Sequence, residues 1–208
     1  MVDAYVCRRH AAIARRRHAR ARLSIRGDVD AMSDERLRMV ATAGLVIGAL
    51  LGMAGAFAPS AGLRGLAWGI DGSALVVASA LLVVHHLRQG RELLAAGFLV
   101  FLAGETLIVS GSAMDLKASA PIFAAGAGLW AAALALVSAS PVLPTCVRGT
   151  GAIAAVLFAI TAARMFGGAR LTALSAPLPF YAYPFLAITL FGWAWTHVRT
   201  RPARSAET

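Results

Sequence analysis

Residues 92–113 read ELLAAGFLVFLAGETLIVSGSA, and this stretch decides the fold class. A helix needs about 20 predominantly apolar residues to cross a hydrocarbon core about 30 Å thick. Residues 93–113 meet that requirement, and Glu105 is their only charged residue. A carboxylate exposed to lipid is costly, so Glu105 is expected to turn inward. There it either ties two helices together by a hydrogen bond or handles a proton or cation. Gly97, Gly104 and Gly111 recur every seven residues. That spacing keeps them near one helix face, where a neighbouring backbone can approach closely.

Working outward, five other segments are long and apolar enough to join it, at about 39–58, 66–87, 119–138, 149–166 and 178–198. The expectation is an all-α, polytopic six-transmembrane-helix bundle with short loops. Composition agrees: 59% of the 208 residues are hydrophobic and 14% charged, against about a quarter charged in a soluble domain. Mean hydropathy is +0.70. The first span carries Gly44, Gly48 and Gly52, a smooth face at four-residue spacing. Such a face packs within the bundle or forms a homodimer contact. In the last span, Pro184 is expected to kink the helix. Tyr181 and Tyr183 suit one interfacial aromatic belt, with Trp193 and Trp195 in the other.

The net charge of +10 invites a nucleic-acid reading, which its distribution argues against. Ten of the 20 Lys and Arg residues precede position 39, and no soluble domain displays the others. Residues 1–38 read as a basic, disordered cytoplasmic segment, and 199–208 as a short cytoplasmic tail. Residues 1–31 lack the apolar core of a signal peptide. They either lie on anionic headgroups or precede the true start at Met32, where MSDERLRMV runs into the first span.

Orientation follows from basic residues near the span ends. With six spans, the N-terminus, the 88–92 turn, the 139–148 loop and the C-terminus share a side holding 16 Lys and Arg, against 4 on the other; without residues 1–31 the split is 8 to 4. Both termini are thus expected in the cytoplasm, with the chain in the inner (plasma) membrane. A shift of 84 residues lays Arg64-Gly65 on Arg148-Gly149 and Phe101-Leu102-Ala103 on Phe185-Leu186-Ala187. A 3+3 inverted repeat, as in many transporters, gives such a pattern. So do chance matches between alanine-rich helices.

On this topology Asp71, Glu105, Arg164, Tyr181 and Tyr183 share the outer half of the membrane. If spans two, three and five adjoin, Arg164 neutralises Asp71 or Glu105. The set then forms either an outward-facing polar pocket or a structural ion pair. His85, His86 and His197 fall at the opposite headgroup level, where a pairing across helices could hold haem or the rings could simply sit at the interface. Cys7 and Cys146 give no disulfide framework and no metal-ligand spacing. No hydrolase, zinc-protease, P-loop or dinucleotide motif is present. No enzymatic activity, metal or cofactor is therefore expected. Partners reduce to the lipid bilayer and a homodimer or membrane-complex neighbour. The functional expectation is small-solute or proton-coupled transport through the pocket, or else the role of an accessory subunit in a larger membrane complex.

Overall fold

A computed structural model of the chain describes residues 34–112 and 114–199. The expectations for residues 1–31 and for the tail from 200 onward lie outside the described residues. Six helices follow one another: α1 (Asp34–Ala56), then α2 (Ala61–Arg88), α3 (Glu92–Ser112), α4 (Ala120–Ala139), α5 (Thr145–Phe166) and α6 (Ala182–Arg199). There is no strand among the described residues.

Local chemistry sets the boundaries. The Ser60 hydroxyl accepts the Leu63 N–H at the start of α2, satisfying one of the amides a helix N-terminus leaves unpaired. Gly90 adopts φ +67° in the turn before α3, a conformation that glycine takes without steric penalty. A proline opens α4, where its missing N–H costs nothing. Arg148 Nε reaches back 2.8 Å to the Ser138 carbonyl and ties the end of α4 to the start of α5.

Five of the helices, α1 to α5, are long and apolar enough to cross a membrane. Their outward faces carry large apolar residues as the core does, including Leu50, Leu66, Leu99 and Val156. A helix apolar on all sides belongs in lipid, so the chain is a multi-pass helical membrane protein. The sixth helix differs. It begins at Ala182 rather than near 178, has 18 residues, and includes Tyr183, Trp193, Trp195, His197 and Arg199. Residues 177–181 form turns. Pro184 therefore falls in the first turn of α6, where no intrahelical N–H is missed, and not in a kinked interior.

Each helix from α2 to α6 packs on the next in sequence. The circuit closes where α6 meets α2 and α3: His197 touches His86, and Trp193 meets Phe98 and Phe101 edge-on at 5.0 and 5.7 Å between ring centroids. Trp193 is thus fully buried and not part of an interfacial belt; Trp195 is exposed, with the Arg199 guanidinium 4.1 Å from its ring centre. Glycines set the closest approaches. A Cβ on Gly44 would stand 2.8 Å from the Ala74 carbonyl, Leu75 fills the space over Gly48, and a carboxylate oxygen of Asp71 lies 2.9 Å from the Cβ position of Gly52. The α1 face is therefore used against α2. In the same way Gly97, Gly104 and Gly111 all face α4, meeting Val137, Trp130 and Ser119.

Candidate functional site

The close contact between α3 and α4 places the site's central acid. Gly104 stands 3.1 Å, measured from its Cβ position, from the Gly126 carbonyl of α4. With the backbones this near, Glu105 meets Trp130, one turn beyond Gly126. The indole Nε1–H donates to Glu105 Oε2 at 3.0 Å. The other oxygen, Oε1, lies 3.0 Å from the Cβ position of Gly72 on α2. Gly72 thus provides the gap through which an α3 carboxyl reaches the α2 backbone, and Glu105 ends up 1% exposed.

Asp71 precedes Gly72 and points the other way, toward α1. Its Oδ2 packs on Gly52, and its Oδ1 is buried with no hydrogen-bond partner. Beside it lies a cavity of about 70 Å³, bounded by Gly52, Asp71, Phe123, Trp130, Tyr183 and Leu190 among others. That volume holds a few waters or a very small ligand. The cavity sits where α1, α2, α3, α4 and α6 converge. Asp71 and Glu105 are close enough for the charge of one to act on the other, and both act on Tyr183.

Two acids side by side in an apolar bundle require something positive. Among the described residues no Lys or Arg pairs with either carboxyl. The expected Arg164 contact does not form: α5 packs on α4 and α6, not on α2 or α3, so Arg164 stays exposed at the end of α5. Tyr181 is also outside the site, 58% exposed beside Phe180. Of the five residues expected to share a pocket, Asp71, Glu105 and Tyr183 come together. Sequence reasoning missed Trp130, although a single indole in the alanine- and glycine-rich sequence of α4 was the available signal.

The histidines turn inward at the ends of their helices. His85, His86 and His197 are all buried where α2 and α6 end. His86 and His197 hold no haem between them, because their Nε2 atoms are hydrogen-bonded to each other at 3.2 Å and leave no gap for a macrocycle. Among the described residues no cluster of His, Cys, Asp and Glu suits a metal ion. Set against protein families, curated proteins and solved structures, the chain matches none.

Proposed function

We propose that this chain carries protons, or a small solute coupled to protons, across a membrane through the cavity beside Asp71 and Glu105. One observation carries the reading: a half-buried carboxyl, Asp71, lines a cavity whose wall includes Trp130, the hydrogen-bond donor to the fully buried Glu105, and no basic side chain pairs with either acid among the described residues. A structural ion pair needs a cation, and this pair has none among the described residues. A site that lacks its positive partner is suited to take one up, either as a proton shared by the two acids or as a small cation.

The same reading takes six spans, α6 included, with both termini cytoplasmic in an inner membrane; the basic residues divided 16 to 4 support that orientation. The 3+3 repeat gains support from helix register. α2 starts at Ala61 and α5 at Thr145, 84 residues apart. Arg64 and Arg148 occupy the same step of the two helices, and each donates back to a preceding carbonyl, Ala58 just past α1 and Ser138 in the last turn of α4. Under that shift Glu105 corresponds to Thr189, which is also buried and polar. Two inverted halves around a central polar site are a transporter arrangement. The alternative role, an accessory subunit docked on a larger complex or a homodimer, drew on the glycine faces of α1 and α3. Those faces are occupied inside the bundle, so the transport reading leads.

The test is proton flux in liposomes that hold a pH-sensitive dye and the purified full chain. Wild type should collapse an imposed pH gradient at least tenfold faster than either Glu105→Gln or Asp71→Asn. Equal rates for wild type and both variants, or wild type no faster than protein-free liposomes, would sink the proposal.

A further inference from the structure

The histidine cluster at the other end of α2 has its own chemistry, and its protonation pattern can be read from the hydrogen bonds. His197 Nδ1 lies 2.6 Å from the Trp193 carbonyl oxygen. A carbonyl only accepts, so this nitrogen carries a hydrogen. In neutral His197 the Nε2 is then a bare acceptor. The hydrogen in the 3.2 Å contact between His86 Nε2 and His197 Nε2 must therefore come from His86. That leaves His86 Nδ1 as an open lone pair, and this atom is buried with no hydrogen-bond partner. The His86 ring is held in place by stacking on Phe98, 5.4 Å between centroids and 8° between planes.

We propose that His86 and His197 together form a proton-binding site that accepts one proton and only one. The proton adds to the open lone pair of His86 Nδ1. His86 becomes an imidazolium, and its Nε2–H still donates to His197 Nε2, so the existing hydrogen bond gains charge assistance. That hydrogen can cross to His197 Nε2 without either ring moving. His197 is then the imidazolium, with Nδ1–H on the Trp193 carbonyl and Nε2–H on the lone pair of His86 Nε2. One proton has entered, no other bond has changed, and the positive charge is spread over both rings.

A second proton has no such place. Both Nε2 atoms would carry hydrogens facing each other across 3.2 Å, and two cations would be in contact. The charged and titratable groups acting on the pair are Arg38 of α1, His85 of α2, and Arg91 in the turn before α3; each is cationic when charged, so two protons would face more repulsion than one. His85 does not serve as a third member, since its Nε2 is engaged by the Gln89 side-chain amide at 2.9 Å. About 22 Å along α2 separate His86 from Asp71 at 1.5 Å per residue. The pair is thus a separate site from the carboxyl cavity, and its test does not depend on that cavity.

Nitrogen NMR of the full chain in lipid nanodiscs, with ¹⁵N-labelled histidine, tests the site. Signals are assigned with His85→Gln, His86→Phe and His197→Phe. At neutral pH wild type should show a coupling across one N–H···N hydrogen bond between two histidines. On acidification both rings should shift together in a single step worth one proton, with the coupling retained. Absence of the neutral-pH coupling overturns the proposal, and this needs no variant to fold. So does uptake of two protons, independent titration of the two rings, or no protonation of either before the fold is lost.

Discussion

The two polar clusters inside this bundle solve opposite problems. At one end Asp71, which lines a cavity, and the buried Glu105 put like-charged groups together, with one side-chain hydrogen bond, from Trp130 to Glu105. At the other end three histidines pack ring against ring, and the contact between His86 and His197 is closed. The acids lack a positive partner among the described residues, while the histidines satisfy most of their own demand internally. The difference teaches where to look for a ligand. The acid end has a half-buried carboxyl, Asp71, whose partnerless oxygen adjoins a cavity, whereas the histidine rings are all buried and leave only the His86 Nδ1 lone pair open in a closed contact.

The largest way to break this contrast is to remove the indole that holds the acid end. Trp130 stacks on Phe101 and meets Phe158 edge-on, so Trp130→Ala should cost about 3–5 kcal/mol of stability from lost packing. Trp130→Phe keeps most of that packing but strips Glu105 of its donor, and about 1–3 kcal/mol is expected. The gap between the two, read from thermal unfolding in detergent, separates ring volume from hydrogen bond. If Trp130→Phe were as damaging as Trp130→Ala, the hydrogen bond would outweigh the packing.

A narrower intervention works through space alone. A Cβ on Gly72 would land on the Val109 side chain and stand 3.0 Å from Glu105 Oε1. Gly72→Ala should therefore push α3 away from α2 at a cost of about 1–3 kcal/mol. It should also displace Glu105, visible as a changed carboxyl band in infrared difference spectra. Gly62 has nothing within 4 Å of its Cβ position, so Gly62→Ala is the matched control, with no loss expected.

Asp71→Asn acts on charge with little change of shape. Asp71 Oδ1 gains no hydrogen bond from the protein, so the neutral amide should leave the bundle as stable or about 1 kcal/mol more stable while proton flux is lost. Gain of stability with loss of activity marks a residue kept for function. A loss of more than about 2 kcal/mol would instead make Asp71 structural, since exchanges that break no packing or pairing rarely cost so much.

The sequence revealed more of the architecture than of the site, for physical reasons. Lipid imposes length and apolarity on each helix independently of its neighbours, so residues 93–113 could be recognised without knowing what they touch. Boundaries moved where turn chemistry decides them: α6 starts after a proline-rich run that hydropathy alone could not divide. Glu105 stood out because it is the sole charge in its span, and the glycine faces because spacing is a local property. Which helix lies beside which is not local. The pairing of Glu105 with Trp130 spans 25 positions and that of His86 with His197 spans 111. The place of the histidines near span ends was legible, but that α2 and α6 meet there and bury them was not.

Arg164 is where that limit is sharpest and the expected effect smallest. Placing it beside the acids required α5 to adjoin α2 or α3. The order of packing instead runs α2, α3, α4, α5, α6, which puts α4 or α6 between Arg164 and either carboxyl. Its guanidinium is exposed, and no acid among the described residues holds it. Arg164→Gln should then change stability by no more than about 0.5 kcal/mol, as for other exposed positions, and leave proton flux at the wild-type rate. A variant in which flux rose or fell severalfold would mean that the charge reaches the cavity after all. The acids would then have a cation, and the contrast between an unpaired acid end and a self-satisfied histidine end would collapse into two neutralised clusters.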